Sequence, residues 1–245
     1  MATDAMRAIV VGGTNFGESD RIVRLLTAGE GRIDLLARSA RASRRRFVGL
    51  LEPGTRLDVT RQLGRGSLGL LVSADRIAGP DRARTDLDRI ALLTYGCEVC
   101  SSLAPRGSAA ERLAGLLGVW LDLLEGEAQP GVASRVALES KALTFAGLRP
   151  ALLGCAACGE VLDDPVVFDP EAGGGVHARC GGGRPVTVDT LRALEILRRT
   201  PLLQTPGEAV PSQASGLLAD FIQHHIERRL VSRALLDELT SDDRC

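Results

Sequence analysis

Four residues in one stretch of this chain have the chemistry to hold a metal ion. Gly154-Cys155-Ala156-Ala157-Cys158-Gly159 is followed, 18 residues on, by His177-Ala178-Arg179-Cys180-Gly181. Two i, i+3 ligand pairs around a span of that size have the spacing of a zinc ribbon. Two ligands three apart in a tight turn can aim at one ion, and a glycine directly after the second ligand permits the turn. Three thiolates and one neutral imidazole complete a closed tetrahedral site. The expected cofactor is therefore a structural Zn2+ held by Cys155, Cys158, His177 and Cys180, with Val161, Leu162, Val166, Val167 and Phe168 supplying a strand hairpin between the pairs. Three other readings compete. A redox Cys-x-x-Cys leaves the matched His-x-x-Cys unexplained. A base deaminase wants His-x-Glu and a proline before the first cysteine, and neither is present. Cys97 and Cys100 form a further i, i+3 pair, but they lie in an apolar helical pattern where buried free thiols are common.

A second group of residues has the chemistry to hold phosphate. Arg38, Arg41, Arg44, Arg45 and Arg46 fall within nine residues, with no acid between Asp34 and Glu52. Guanidinium groups pair bidentately with phosphate oxygens, and each neutralised phosphate releases counterions. The bland alternative is a solvated charged loop. The missing acids favour a nucleic-acid arm, which Arg32, Arg56, Arg61 and Arg65 would extend along adjacent strands. Only Phe16 and Phe47 are aromatic in this part of the chain, so base stacking is expected to add little and binding to be sequence-tolerant and salt-sensitive. Arg228, Arg229 and Arg233 read as an ordinary helix face, and His224 and His225 as surface or packing residues.

Net charge, taken whole, argues otherwise. Thirty basic and 31 acidic residues give −1 over 245 residues. Divided at residue 76, the same charges are +5 before and −6 after. With 44% hydrophobic and 25% charged residues, the chain is expected to fold around sizeable cores rather than stay disordered. It has no 18-residue uncharged apolar run to span a membrane. Met1-Ala2-Thr3-Asp4 does not open a secretory signal, and paired cysteines without one suit a reducing cytosol. There is no Gly-x-x-x-x-Gly-Lys loop, Gly-x-Ser-x-Gly elbow or His-Glu-x-x-His, and Gly12-Gly13 is too little for a dinucleotide fingerprint. The sequence offers no basis for catalysis.

The elements that must carry these groups change character along the chain. Ala8–Val11, closed by Gly12-Gly13, then Ile22–Leu26, Ile33–Ala37, Thr55–Gln62 and Leu68–Ser73 read as five short strands, the last two a hairpin turned at Gly64 and Gly66. Five strands in under 80 residues suggest a small barrel of the OB type. After Gly79-Pro80 the period becomes helical: Asp86–Leu103, a helix opened by the Ser108-Ala109-Ala110-Glu111 capping box and running through Leu124, then Val132–Ala146. Residues 151–185 turn glycine-, cysteine- and proline-rich. Asp189–Arg199 and one long helix, Gln213–Leu239, follow. The expected fold is thus a multidomain α+β protein: residues 1–80 an N-terminal OB-fold β-barrel that binds DNA, residues 81–150 and 186–245 an α-helical domain, and residues 151–185 an inserted zinc-ribbon-like module.

With this order of parts in place, the chain resembles the DNA repair protein RecO family. The resemblance is carried by Glu18-Ser19-Asp20-Arg21-Ile22-Val23, Leu25-Leu26-Thr27 with Gly31, the Ala40–Arg46 basic segment, Leu51-Glu52-Pro53, and the Cys155/Cys158 and His177/Cys180 pairs. It covers essentially the whole chain. It implies a recombination mediator that binds single- and double-stranded DNA, anneals complementary strands and helps load RecA onto strands coated by single-strand-binding protein. The implied partners are RecR, sometimes RecF, and the C-terminal tail of the single-strand-binding protein, in a cytoplasmic protein associated with the nucleoid during repair. The third metal position, commonly cysteine in that family, is His177 here, and the family's glycine spacing in the basic segment becomes Arg38-Ser39-Ala40-Arg41-Ala42-Ser43. The rival reading from the residues alone is a zinc-ribbon OB protein that binds structured RNA.

Overall fold

A computed structural model describes residues 3–42, 46–63 and 68–242. The chain divides into two compact units, Met1–Glu125 with Ser232–Cys245, and Gly126–Val231.

The first unit is built on five strands: β1 (Thr3–Phe16), β2 (Asp20–Thr27), β3 (Gly31–Ala37), β4 (Arg56–Gln62) and β5 (Gly69–Ala78). They run in the order β1-β2-β3-β5-β4, and β4 pairs back onto β1, so the sheet closes. The seam is a short parallel pairing, Leu35 with Gly69 and Leu36 with Leu70. Alternation of side chains sends one set inward: Val10, Val23, Leu25, Leu35, Leu57, Val59 and Leu71 fill a common core. Closure leaves few free strand edges to pair with other chains.

Gly12-Gly13 does not end the first strand as expected. β1 continues to Phe16 across a bulge, where the register with β2 slips between Val10 and Gly12. Gly12 takes φ +154° there, a backbone state that glycine adopts without strain. The strand therefore bends instead of turning back. Gly64 and Gly66 lie outside the described residues.

Two helices of this unit follow the strands, α1 (Leu87–Leu103) and α2 (Glu111–Glu125). Asp86 caps α1 by accepting the Asp88 and Arg89 amides at 2.9 and 3.1 Å, satisfying two of the donors a helix start leaves open. The predicted Ser108 cap on α2 is not formed. The Ala110 amide is instead bound by the Ala28 carbonyl at 2.7 Å, and Ala110 itself accepts the first helical bond. The β2–β3 turn thus holds the chain extended for two residues past Ser108. Between the helices, the buried Trp120 donates its indole N–H to the Leu92 carbonyl at 3.1 Å. Its ring occupies the space over Gly96, where any Cβ would run into it. Cys97 and Cys100 lie in this core, with the Cys97 thiol 3.9 Å from the Val10 carbonyl. Burial pushes Cys97 up to about 12 and Cys100 up as well, so both are inert packing groups.

The second unit holds α3 (Val132–Phe145), α4 (Val188–Arg199), α5 (Leu217–Ile226) and a three-stranded antiparallel sheet of β6 (Val166–Asp169), β7 (Gly174–His177) and β8 (Arg184–Val186), in the order β7-β6-β8. The expected single helix Gln213–Leu239 is broken. Glu227 adopts a left-handed conformation at φ +54°, and α6 (Val231–Asp242) starts afresh. The Gln223 side chain accepts the Leu230 amide at 2.9 Å, so the break has its own hydrogen bond. From Ser232 on, α6 belongs to the first unit. There the Glu98 carboxylate of α1 accepts the Ser232 amide and hydroxyl at 2.8 and 2.5 Å.

On α4 the nearly buried Glu195 gathers three arginines: Arg198 by two bonds of 2.7 Å, Arg199 at 2.8 Å and Arg149 at 3.4 Å. Arg198 above all holds the carboxyl down at about 2 from its ordinary 4.5. A depressed carboxyl stabilises the fold above its unfolded value, and that contribution is lost as pH falls through the folded one. Thermal unfolding of the protein should therefore lose stability steeply between pH 4.5 and 2. In Arg198→Ala the acid limb should be shallower. Separately, Gly96→Ala should lower stability by about 1–3 kcal/mol in urea unfolding through overpacking against Trp120, while Gly118→Ala, in open space on α2, should not.

Candidate metal centre and basic surface

The four predicted ligands are brought together. One ligand atom from each of Cys155, Cys158, His177 and Cys180 lies within 4.8 Å of all the others. Cys155 and Cys158 sit in a turn whose amides point inward. The Gly159 amide closes it on the Cys155 carbonyl at 2.9 Å, and Gly159 takes φ +79°, which a side chain would disfavour. His177 ends β7, and the next turn returns the Cys180 amide to the His177 carbonyl at 2.8 Å. Gly181 needs no such conformation, so only one of the two glycines noted in the sequence is required by geometry. The hairpin between the pairs is β6 with β7. Val161 makes only a single bridge to Gly154, because the first ligand turn extends to that point.

The imidazole Nδ1 is 3.5 Å from the Cys158 sulfur and 3.8 Å from the Cys180 sulfur. A tetrahedral ion with metal–sulfur bonds of about 2.3 Å and metal–nitrogen bonds of about 2.0 Å separates sulfur from nitrogen by roughly 3.5 Å and sulfur from sulfur by roughly 3.8 Å. The donor set and its spacing therefore fit such an ion. Burial opposes ionisation of Cys155, yet the amides of Cys158, His177 and Ala157 outweigh it and bring the thiol down to about 6. Burial and the Cys158 sulfur push Cys180 up. A cation among the sulfurs would relieve that mutual repulsion.

The basic segment is fastened at both ends. At its start, the Asp20 carboxylate accepts the Ser39 amide at 2.7 Å. The Arg41 amide donates to the Ser19 carbonyl at 2.9 Å, and its guanidinium reaches the Gly17 and Glu18 carbonyls. At its end, Phe47 is buried in the barrel core. Arg46 lies 4.9 Å over the Phe47 ring and donates to the Val72 carbonyl at 2.7 Å. Arg38, Arg41 and Arg46 are exposed. Arg44, Arg45 and Arg65 lie outside the described residues, as does Cys245. Phe16 is the exposed aromatic, whereas Phe47 is spent on the core.

The outlying arginines sit differently. Arg32 is half-buried and reaches the Ser101 carbonyl, and Arg56 pairs with Asp122 at 2.7 Å. Arg61 follows Leu57 and Val59 in the inward register of β4. It is buried, bound by both Glu30 oxygens and by Asp4 at 3.0 Å, and those bonds raise its pKa, Glu30 first. It belongs to an ion-pair network at the barrel end and not to an open face. Arg233 pairs with Asp237 along α6. His225 stacks on Phe221 with ring centres 4.3 Å apart, the packing role expected of it.

Sequence reasoning did not find Asp20, Arg21 and Glu52 as positioning residues. Arg21 bonds Glu52 at 2.9 Å across 31 residues, fixing the chain that leaves the basic segment against β2 as Asp20 fixes the chain that enters it. They stood in the sequence only as marks of a resemblance, since nothing local connects them.

Among the described residues, no helix is long and apolar enough to cross a membrane. Residues 1–79 match the family model described as recombination protein O N terminal, and residues 84–234 the one described as recombination protein O C terminal. A DNA repair protein RecO from Anaeromyxobacter sp. (strain K) is 40% identical over 245 residues, spanning 96% of either chain. One from Myxococcus xanthus (strain DK1622) is 40% identical over 232 residues, 92% of this chain and 93% of its own. One from Pelobacter propionicus is 34% identical over 247 residues, 99% and 100%. None of these matches supports the RNA alternative.

The metal centre predicts a pattern of thiol reactivity. In the metal-loaded native protein, Cys155, Cys158 and Cys180 should resist alkylation, and a chelator should expose all three together. Cys97 and Cys100 should stay unreactive until the protein unfolds. Peptide mapping by mass spectrometry reads each site, and fast native labelling of Cys155 and Cys158 alone would instead mark a redox pair.

Proposed function

The chain belongs to the recombination protein O family, and from its role in DNA repair and recombination we propose a non-catalytic mediator that binds single- and double-stranded DNA and anneals complementary strands. The observation that carries this reading is the segment Arg38–Arg46: five guanidiniums, no acid, and anchors at both ends that tie it to the barrel. In this reading residues 1–80 form an OB-fold DNA-binding barrel, residues 81–150 and 186–245 the helical body, and residues 151–185 a zinc-ribbon module.

Arg38, Arg41, Arg44, Arg45 and Arg46 hold phosphates of two strands without reading bases. Placing cations between two polyanions lowers their repulsion, so pairing speeds up without nucleotide hydrolysis. Of the wider set named from sequence, Arg32 and Arg65 are kept as phosphate contacts in the proposal; Arg61 serves the barrel end. Cys155, Cys158, His177 and Cys180 would hold a Zn2+ whose binding free energy is also folding free energy, and which takes no part in the DNA chemistry. The family further suggests RecR, RecF and the C-terminal tail of the single-strand-binding protein as partners, RecA loading as the outcome, and the nucleoid as the place of work.

Replacing Arg38, Arg41, Arg44, Arg45 and Arg46 together by alanine should abolish annealing and flatten the salt dependence of duplex binding, by about 0.9 in log–log slope for each phosphate no longer neutralised. Unchanged annealing and slope would remove the site. Competition between DNA and RNA of one sequence at matched salt should favour DNA. Asp20→Ala gives a test of opposite sign to simple electrostatics. Removing a negative charge beside the arginines should strengthen DNA binding, yet removing the Ser39 anchor should weaken it by about fivefold, the worth of roughly 1 kcal/mol for one hydrogen bond. Asp20→Asn, which keeps an acceptor, should restore most of it in an anisotropy titration.

A further inference from the structure

We infer that Asp163 is a positioning residue for the metal centre, orienting His177 so that it binds metal through Nδ1; this rests on the reading of the four-residue cluster as a metal site. His177 is 1% exposed, and its two ring nitrogens face different surroundings. Nδ1 faces the sulfurs of Cys158 and Cys180. Nε2 points the other way, 2.9 Å from an Asp163 carboxylate oxygen and 3.1 Å from the Val161 carbonyl. The Val161 carbonyl accepts a hydrogen bond from Nε2, with the Asp163 carboxylate beside it as a charge contact, so Nε2 carries the ring proton and Nδ1 keeps its lone pair toward the thiolates. The carboxylate also makes the imidazole a better donor to a cation, as outer partners of metal-bound histidines do.

Asp163 is itself held. Arg179, two residues past His177, places one guanidinium nitrogen 3.7 Å from the same Asp163 oxygen and the other 3.6 Å from Glu160. The sequence thus alternates along β7 and the following turn: His177 turns inward to the sulfurs, and Arg179 turns outward to the acid that steers His177. A histidine ring has a freedom a thiolate lacks, because it can flip and offer either nitrogen. The Val161 carbonyl on Nε2–H and the Asp163 charge beside it together remove that freedom.

The test uses the full chain loaded with zinc and challenged with a chromophoric chelator. Asp163→Ala should release zinc about 10- to 100-fold faster than the unaltered protein; Asp163→Asn, which keeps the shape but removes the charge, should be nearly as fast, and Asp163→Glu should recover part of the difference. Glu171→Ala removes an exposed charge from the same module without touching His177 and should match the unaltered protein. Nitrogen-15 spectra of the ring should show the Nε2–H tautomer with metal on Nδ1, and a weakened Nε2–H signal in Asp163→Ala. Release rates of Asp163→Ala equal to the unaltered protein, or ring spectra with metal on Nε2, would overturn the assignment while leaving the metal site standing. A full chain that takes up no zinc would overturn both.

Discussion

A guanidinium inside or beside a protein core must find a carboxylate or carbonyl, because an unpaired buried charge costs more than most cores can offset. In the barrel this constraint decides where positive charge is left over. Residues 1–76 hold 13 arginines and eight acids. Arg7, Arg21, Arg24, Arg56, Arg61 and Arg76 are each paired with an acid. The five arginines of the 38–46 segment equal the barrel's whole excess of +5. Pairing thus occupies six of the other arginines, two of them with Asp81 and Asp122 from beyond residue 76, while the 38–46 segment has no acid of its own. An overall charge of −1 says nothing about that surface, since at about 10 Å of screening a phosphate feels only what is near it.

The cysteine–histidine cluster was legible in the sequence because all its information is local: two three-residue spacings, a glycine after each pair, and a hairpin between. The strand alternation of Leu57 and Val59 and the periodic helices were legible for the same reason. What failed depended on distant partners. The Ser108 cap was overridden by the Ala28 carbonyl, about 80 positions away in the chain. Gly12 reads as a turn until the register of β2 shows it as a bulge. Arg61 reads as one more surface arginine until Glu30 and Asp4 are placed around it. The break at Glu227 lies in a stretch with good helical pattern on both sides, and only its division between two compact units gives it a reason.

Within the second unit, the metal module is tied to its helices by side chains as well as by the chain. The Asp164 carboxylate accepts the Val188 amide at the start of α4. Phe168 of β6 meets Phe221 of α5 with ring centres 5.7 Å apart, and Arg184 of β8 approaches Asp220. The cluster's module is thereby joined to two helices that contribute no ligand. An ion held there would act on the unit and not merely on its own loop.

The Glu98–Ser232 contact has a consequence in the time order of synthesis. A ribosome delivers the barrel, α1 and α2 first, then the whole of residues 126–231, and only afterwards the helix that α1 receives. The first unit to emerge is thus the last to be completed, and the second can reach its fold while the first still lacks a part. The α1–α6 contact can therefore form only after every other part of the chain has been made.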